Sequence, residues 1–294
     1  MSVKSDLRIV RMGEPHLGQV FSLIDHENWG WEFAEIRAIH SLDPGSSLVA
    51  LDGKEVVGLV TCIDFGSVAA IVHVIVRKGW RGKGVGVRMM ERVLADLDSR
   101  GVPTVELHAD PKAVDFYAPF SFKKFEDISF FVKNAPHRID GPGEASSGRF
   151  EWLSKDRLPT AAGALSPALG YDERSLLEAL ARGPPDNSLA RTEDGRCTAV
   201  ALSRIGHDIN AVGPWTMDRP SKDDAVDMIR VLLSAAPAKR MDLLALSSSE
   251  VAGHALEVCG FELAKAGIVR LVRSTGRVSP YSESVLSIGH LCMI

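Results

Sequence analysis

The chain has 294 residues, more than the roughly 100 to 200 of one typical domain, so two domains are expected. With 45% apolar and 24% charged residues it has the composition of a soluble globular protein able to bury sizeable cores. A net charge of −4 argues against a general nucleic-acid binder, no apolar run approaches the about eighteen residues of a membrane span, and Met1 to Arg11 carries no signal-peptide core. A cytoplasmic protein is expected. Cys62, Cys197, Cys259 and Cys292 lie scattered without CxxC spacing, so neither a metal site nor a disulfide framework is indicated.

In chain order, Leu23 to Ile39 comes first. It holds Asp25, His26, Glu27, Asn28, Trp29, Gly30 and Trp31, a cluster too polar and aromatic for a plain amphipathic helix. Acidic groups beside tryptophan suit a cationic amine, through charge pairing and attraction to the ring face. A helix-loop-helix with its tryptophans packed on a sheet explains the same residues equally well.

Ile71 to Val76 is a β-branched run that reads as a strand, and it leads into Arg81-Gly82-Lys83-Gly84-Val85-Gly86. Three glycines let the backbone approach a ligand without Cβ interference, and the unpaired N–H groups opening the next helix point at it, which favours an anion. That helix is marked by Met89 or Met90, Val93, Leu94 and Leu97 on one face, and Gly101 ends it. A Walker loop is excluded because Lys83 is followed by Gly84 instead of a hydroxyl that could hold magnesium. A dinucleotide fingerprint fits badly too: its third glycine would fall at Val87, and Glu106 lies inside the next strand instead of at its tip.

Val102 to Ala109 alternates as that strand, with Glu106 and His108 on one face. Asp110-Pro111 then opens a short helix running into Phe116-Tyr117-Ala118-Pro119-Phe120-Ser121-Phe122, and Phe125 to Val132 reads as another strand. Asn134 to Gly148 is rich in Pro, Gly and Ser, which divides the chain into domains 1–140 and 150–294. Beyond it a helix is expected from Tyr171 to Arg182, then a Gly-Pro-Pro turn and short strands separated by Glu193-Asp194-Gly195 and Gly206-His207-Asp208. A helix from Lys222 to Ala235 follows, with Ala225, Met228, Ile229, Leu232 and Leu233 on one face.

Arg81, Gly84 and Gly86, in an Arg-x-x-Gly-x-Gly pattern between strand and helix, resemble the pyrophosphate-binding motif of the GNAT family of N-acetyltransferases. Phe116-Tyr117 with Phe122 resembles the family's second motif, with Ser121 where glycine is usual, Pro119 inserted before it, and Asp110 where an asparagine often contacts the cofactor. The resemblance implies an α/β (mixed-sheet) fold and acetyl-CoA as cosubstrate. Loop residues Arg81, Gly82, Lys83, Gly84, Val85, Gly86 and Val87 would hold the pyrophosphate, Val74, Ile75 and Val76 the pantetheine arm, and Asp110 and Tyr117 would also touch the cofactor. It also makes Tyr117 the acid that protonates the departing thiolate, a transfer from a phenol of pKa about 10 to a thiol of about 8.5.

Shifting the numbering by 139 places Phe116-Tyr117 on Ala255-Leu256 and Ser121-Phe122 on Gly260-Phe261, so Ala255 to Phe261 echoes the second motif without its tyrosine. Met241 to Leu246 then matches Val102 to Leu107, and Lys222 to Ala235 overlaps the helix after the glycine loop. The loop itself becomes Thr216 to Asp224, without one glycine and with Pro220, Asp218, Asp223 and Asp224 where an anion would sit. Two tandem GNAT-like acyl-CoA N-acyltransferase domains are therefore expected, the second degenerate. Gly213-Pro214-Trp215 and Asp43-Pro44 are similar to sequences in bacterial two-domain members.

The implied reaction is attack of a primary amine, on a small molecule or peptide, on the acetyl thioester. Only the neutral amine attacks, so a proton must be removed. His73 and Glu106 are the favoured bases, with His108 and Asp64 behind them. A backbone N–H of Val74 to Val76 would meet the oxyanion. Acceptor binding is expected at Asp25, Asn28 and Trp29, with Trp215 contributed by the second half. The expected partners are acetyl-CoA and an amine acceptor, with no nucleic acid or membrane, for a monomer or homodimer. The rival expectation is a non-catalytic acetyl-CoA-binding sensor or scaffold.

Overall fold

The computed structural model describes residues 7–134, 149–154, several positions between 157 and 172, and 188–288 apart from 207, 236–238 and 279. The helix expected over Tyr171 to Arg182, the turn after it, most of the Pro/Gly/Ser-rich stretch and Cys292 lie outside the described residues.

The first half runs β1 (Leu7–Arg11), α1 (Leu17–Asp25), α2 (Phe33–Leu42), β2 (Leu48–Asp52), β3 (Glu55–Asp64), β4 (Val68–Val76), α3 (Val85–Ser99), β5 (Thr104–Ala109), α4 (Val114–Tyr117) and β6 (Lys123–Asn134). The second half repeats the pattern with β7 (Glu151–Trp152), β8 (Leu189–Glu193), β9 (Arg196–Ile205), β10 (Ile209–Met217), α5 (Lys222–Ala235), β11 (Arg240–Leu246), α6 (Glu250–Val258), β12 (Glu262–Ser274) and β13 (Val285–Ile288). α3 buries Val85, Met89, Met90, Val93, Leu94 and Leu97, and α5 buries Ala225, Met228, Ile229, Leu232 and Leu233. These are the faces that the 3.6-residue period selects.

All the described strands join one mixed sheet, ordered β1-β2-β3-β4-β5-β12-β6-β11-β13-β10-β9-β8-β7. The order is nearly symmetric about the central β12–β6 pair, and each half gives its long strand to the other. β12 lies against β5 of the first half, and β6 lies against β11 of the second. Strands of 12 and 13 residues are long enough to pair along both flanks. Period-2 alternation then sorts the core. Leu48, Ala50, Val57 and Val60 face α3, while Val49, Leu51, Val56 and Leu59 face α1 and α2 in a cluster that continues into Leu244, Ile268, Val285 and Ile288 of the second half.

The internal echo is visible in the backbone. Ser121 has φ +67° and Gly260, 139 residues later, has φ +72°, and both are followed by a buried phenylalanine, Phe122 and Phe261. Ser121 thus holds the left-handed turn that glycine usually provides. Among the described residues no helix is long and apolar enough to cross a membrane.

The site is positioned by a gap in the sheet. β4 pairs with β5 only through Val68–Ala70, against Thr104–Glu106, and then diverges from it up to Val76. Antiparallel pairing with β3 occupies one edge of β4, so alternate backbone groups beyond Ala70 face the gap.

Candidate functional site

The gap opens on the glycine loop. Gly82 and Gly84 have φ +74° and +75°, and a Cβ added at either would meet nothing within 4 Å, so glycine is needed here for backbone conformation and leaves open space above. Gly86 differs: its Cβ would lie 3.3 Å from the Phe116 ring and 3.6 Å from Val76, so its smallness lets α3 approach α4 and β4. Gly84 is the N-cap of α3, no side chain caps it, and the first turn carries no acidic residue. Its orphan amides therefore face an uncompensated positive helix end.

A cleft of about 570 Å³ fills the gap. Its walls are Val74, Ile75 and Val76 of β4, Gly82 and Gly84 to Val87 of the loop, Ala113, Phe116 and Tyr117, and Glu27 and Trp29 from the α1–α2 connection. Trp80 and Arg81 complete it. Sequence reasoning passed over Trp80, whose only signal was an aromatic residue directly before Arg81. Lys83 lies beside the cleft with its ammonium 5.0 Å from the centre of the Trp80 ring. The Arg81 guanidinium is folded back, donating from Nε to the Val76 carbonyl at 2.7 Å and from Nη2 to Glu27 at 3.0 Å. It therefore ties the end of β4 to the α1–α2 connection.

Tyr117 is 3% exposed, and Phe116 and Phe122 pack edge-on against its ring. Its hydroxyl makes no hydrogen bond among the described residues, and burial pushes its pKa above the ordinary value for a phenol. The group keeps its proton at physiological pH.

The structure corrects several expectations. Glu106 is buried in β5 and does not reach the cleft: its carboxylate accepts hydrogen bonds from Nε and Nη2 of Arg270, at 3.0 and 2.7 Å, and from the Tyr281 hydroxyl at 3.3 Å. That carboxylate lies outside the cleft lining and is taken up by the guanidinium and the phenol, so it cannot reach an amine bound in the cleft. His108, its neighbour on the strand, is wholly buried with its pKa pushed down to about 3. Asp64 pairs with Arg100 at 2.9 Å. Asp110 accepts from the Lys112 amide, is ion-paired with Lys265 of the second half, and does not line the cleft. Trp215 is fully buried in the second half's core, far from any acceptor role. Asp25 is exposed and lines neither this cleft nor the pocket beside it.

His73 is also fully buried, with its pKa pushed down to about 3 by desolvation. Its Nδ1 is 2.6 Å from the Thr61 hydroxyl, Trp29 stacks on its ring, and Trp31 meets it edge-on. It supports the two tryptophans and stays neutral. The expected cluster at Asp25 to Trp31 is thus a packed loop whose Glu27, Asn28 and Trp29 reach pockets.

That loop is also gripped from the second half. A Cβ at Gly30 would lie 2.5 Å from Ile209, the Arg204 guanidinium sits 5.0 Å from the Trp31 ring centre, and Arg204 is ion-paired with Glu35 of α2. Among the described residues no group of three or more His, Cys, Asp or Glu side chains could hold a metal.

The family model described as "Acetyltransferase (GNAT) family" matches residues 17–122, which span the cleft loop, Tyr117 and the α1–α2 connection. That match covers about a third of the chain and makes residues 17–122 similar to the GNAT acetyltransferase family. A curated relative, serotonin N-acetyltransferase 2, chloroplastic, of Oryza sativa subsp. japonica, is 39% identical over 54 residues, 18% of this chain and 27% of that protein. The chain thus matches about a quarter of that relative's length. The tandem arrangement is seen in solved structures. A Pyrococcus horikoshii protein described by name as an acetyltransferase has TM-score 0.78 at 16% identity, over 100% of this chain and 97% of that one. A tandem GNAT protein from the clavulanic acid biosynthesis pathway has TM-score 0.66 at 13% identity, over 93% of this chain and 100% of that one. Both halves therefore carry the GNAT fold, in one sheet.

Proposed function

We propose that this chain is a cytoplasmic N-acetyltransferase that moves the acetyl group of acetyl-CoA to a primary amine of a small molecule or peptide. The observation that carries the reading is the open splay of β4 from β5, with a glycine-opened helix start at one end and Tyr117 on its wall. The amides of the loop and of the first turn of α3 would hold the pyrophosphate. The free edge of β4 would pair with the pantetheine arm and direct an N–H at the thioester oxygen.

The acceptor nitrogen attacks the thioester carbonyl carbon, and its surplus proton leaves to Glu27, directly or through water. Glu27 is the carboxylate among the residues lining the cleft. As the C–S bond breaks, the electron pair goes to sulfur and the Tyr117 hydroxyl supplies the proton that yields CoA thiol. Solvent then restores the phenol.

Thermal unfolding with and without excess acetyl-CoA tests the binding step. At about 100 times its dissociation constant the ligand adds about 2.7 kcal/mol to the wild type. The gain is lost in Gly84→Asp, which places a carboxylate in the open space above the loop. No gain in the wild type overturns the reading. Tyr117→Phe keeps the gain and loses about 100- to 10,000-fold in kcat; unchanged turnover across pH removes Tyr117 as the acid. Binding without turnover of any amine would leave a sensor or scaffold.

A further inference from the structure

Trp29 is a shared wall. On one side lies the cleft just described; on the other is a second pocket of about 180 Å³, roughly a third of the cleft's volume. Its lining comes from Asn28 and Trp29 of the α1–α2 connection and from the swapped central strands: Phe130 of β6, Arg240 and Leu244 of β11, Lys265 and Ile268 of β12. The register explains the layout. Phe130 is the direct partner of both Leu244 and Lys265, so one row across three strands presents Leu, Phe and Lys together. Arg240 lies four residues from Leu244 on the same face of β11. This pocket exists because each half gives a strand to the other.

Its chemistry is asymmetric. The floor is apolar, and the charged groups in the lining are two cations, with no carboxylate. Both cations are fixed from behind. Asp242 takes Nε and Nη2 of Arg240, each at 2.7 Å, and Asp110 pairs with the Lys265 ammonium. Those carboxylates hold the cations in place and leave donors over. Among the described residues, Arg240 Nη1 has no partner, Lys265 spends one N–H of three, and the Asn28 side-chain amide is unbonded. A second ammonium entering here would meet two cations and no carboxylate in the lining, whereas an anion would meet the donors that the two cations and Asn28 have left over.

We infer that this pocket seats the far end of the acceptor, and that the acceptor is an amine carrying a carboxylate at that end across a short apolar spacer. The inference rests on the acetyl-transfer reading, with the reacting nitrogen in the cleft and the carboxylate beyond Trp29. It replaces the expectation that Asp25 draws in the acceptor by its positive charge. It also makes the second half part of acceptor recognition, since Arg240 and Lys265 both belong to that half.

The test uses the full-length protein loaded with acetyl-CoA and ω-amino acids of three to seven carbons, each paired with the alkylamine and diamine of equal length, with CoA release as readout. The carboxylate-ended amine is expected to exceed both partners at least tenfold in kcat/KM at one or two chain lengths. Lys265→Gln and Arg240→Gln keep a hydrogen-bonding side chain towards Asp110 and Asp242. Each is expected to raise KM for that amine about tenfold, with KM for the matched alkylamine and the acetyl-CoA thermal shift unchanged. Equal or greater activity towards alkylamines or diamines, or an equal loss for every acceptor in both variants, overturns the pocket assignment alone, whereas acetyl-CoA binding with no acetylation of any amine overturns the acetyl-transfer reading and this inference with it. Absence of the acetyl-CoA shift in the wild type overturns the acetyl-transfer reading and this inference with it.

Discussion

The two halves open the same gap in the same sheet, and only one leaves it empty. In the first half, β4 parts from β5 after Ala70 and the space is the cleft. In the second, β10 pairs with β11 over Ile209–Val212, and beyond this β13 enters between them, pairing with β10 at Trp215 and Thr216 and with β11 at Leu244 and Ala245. Backbone of β13 fills the space that stays open in the first half. Glycine marks both sites for different reasons. Gly84 faces open space, whereas a Cβ at Gly213 would lie 2.3 Å from the carbonyl oxygen of Ile288 on β13. The Gly-Pro-Trp sequence thus seats the inserted strand, and its tryptophan packs the core under it. The acidic turn that replaces the glycine loop is neutralised locally, Asp224 by Arg149 and Arg191 and Asp218 by Arg196. In the second half the gap is packed with backbone instead of left open.

The seams joining the halves differ as sharply. β5 meets β12 through buried Arg270, bonded to Glu106 and to Glu126 at 2.7 Å with Tyr281 stacked 3.9 Å away, while β11 meets β6 through an exposed Ser129–Ser247 hydrogen bond at 2.8 Å. Removing the ion network's centre should have the largest effect. Arg270→Ala leaves Glu106 buried and unpaired and should cost about 3 to 5 kcal/mol in urea unfolding, whereas Ser129→Ala stays within about 0.5. Equal losses would show that the two seams are equivalent.

The glycine contrast comes next. Gly213→Ala forces a methyl onto the β13 backbone and should cost roughly 3 kcal/mol, the upper end of overpacking. Gly84→Ala pays only for a left-handed alanine, about 1 to 2 kcal/mol. A Gly213→Ala protein as stable as wild type would mean that β13 does not occupy the second gap.

Acid should distinguish the halves more gently. His73 on β4 and His108 on β5 have native pKa values near 3 against 6.5 when unfolded, while their counterparts 139 residues on, Val212 and Ser247, do not titrate. Depressed native values mean that the stability they carry is complete above pH 6.5 and is lost as pH falls towards 3, because unfolding takes up a proton at each. Each contributes a slope of about 1.4 kcal/mol per pH unit in that window. His108→Gln should flatten the stability–pH curve between pH 6 and 4 by one such proton, and an unchanged slope would mean that His108 takes up no proton on unfolding. The smallest effect is expected at Asp25→Asn, where an exposed residue outside both pockets should leave KM for the amine unaltered and stability within about 0.5 kcal/mol.

Most of the cleft wall could be read from the sequence because its determinants are local. Three glycines fix a turn, the following residues fix a helix, and Tyr117 sits one short helix beyond the next strand. Glu106 illustrates what could not be read. As a strand carboxylate near the loop it had the profile of a base, and the partner that disables it is Arg270, 164 residues away on a strand borrowed from the other half. Asp110, expected as a cofactor contact, is ion-paired with Lys265, again from the other half. Trp215 had the residue type of a ligand platform, and only the path of β13 decided that it is core.

The sequence by itself determined what depends on neighbours along the chain: the strand–loop–helix that opens α3 on amides with no side-chain cap, the apolar faces of α3 and α5, the motif around Tyr117 and its echo 139 residues later. The tertiary structure alone decided what depends on strand exchange: which gap stays open, which carboxylates are spent in ion pairs, and which cations line the pocket beyond Trp29. Backbone conformation is set within a few residues. A side chain's charge state and freedom are set by whatever the fold brings against it, and here that came from the opposite end of the chain.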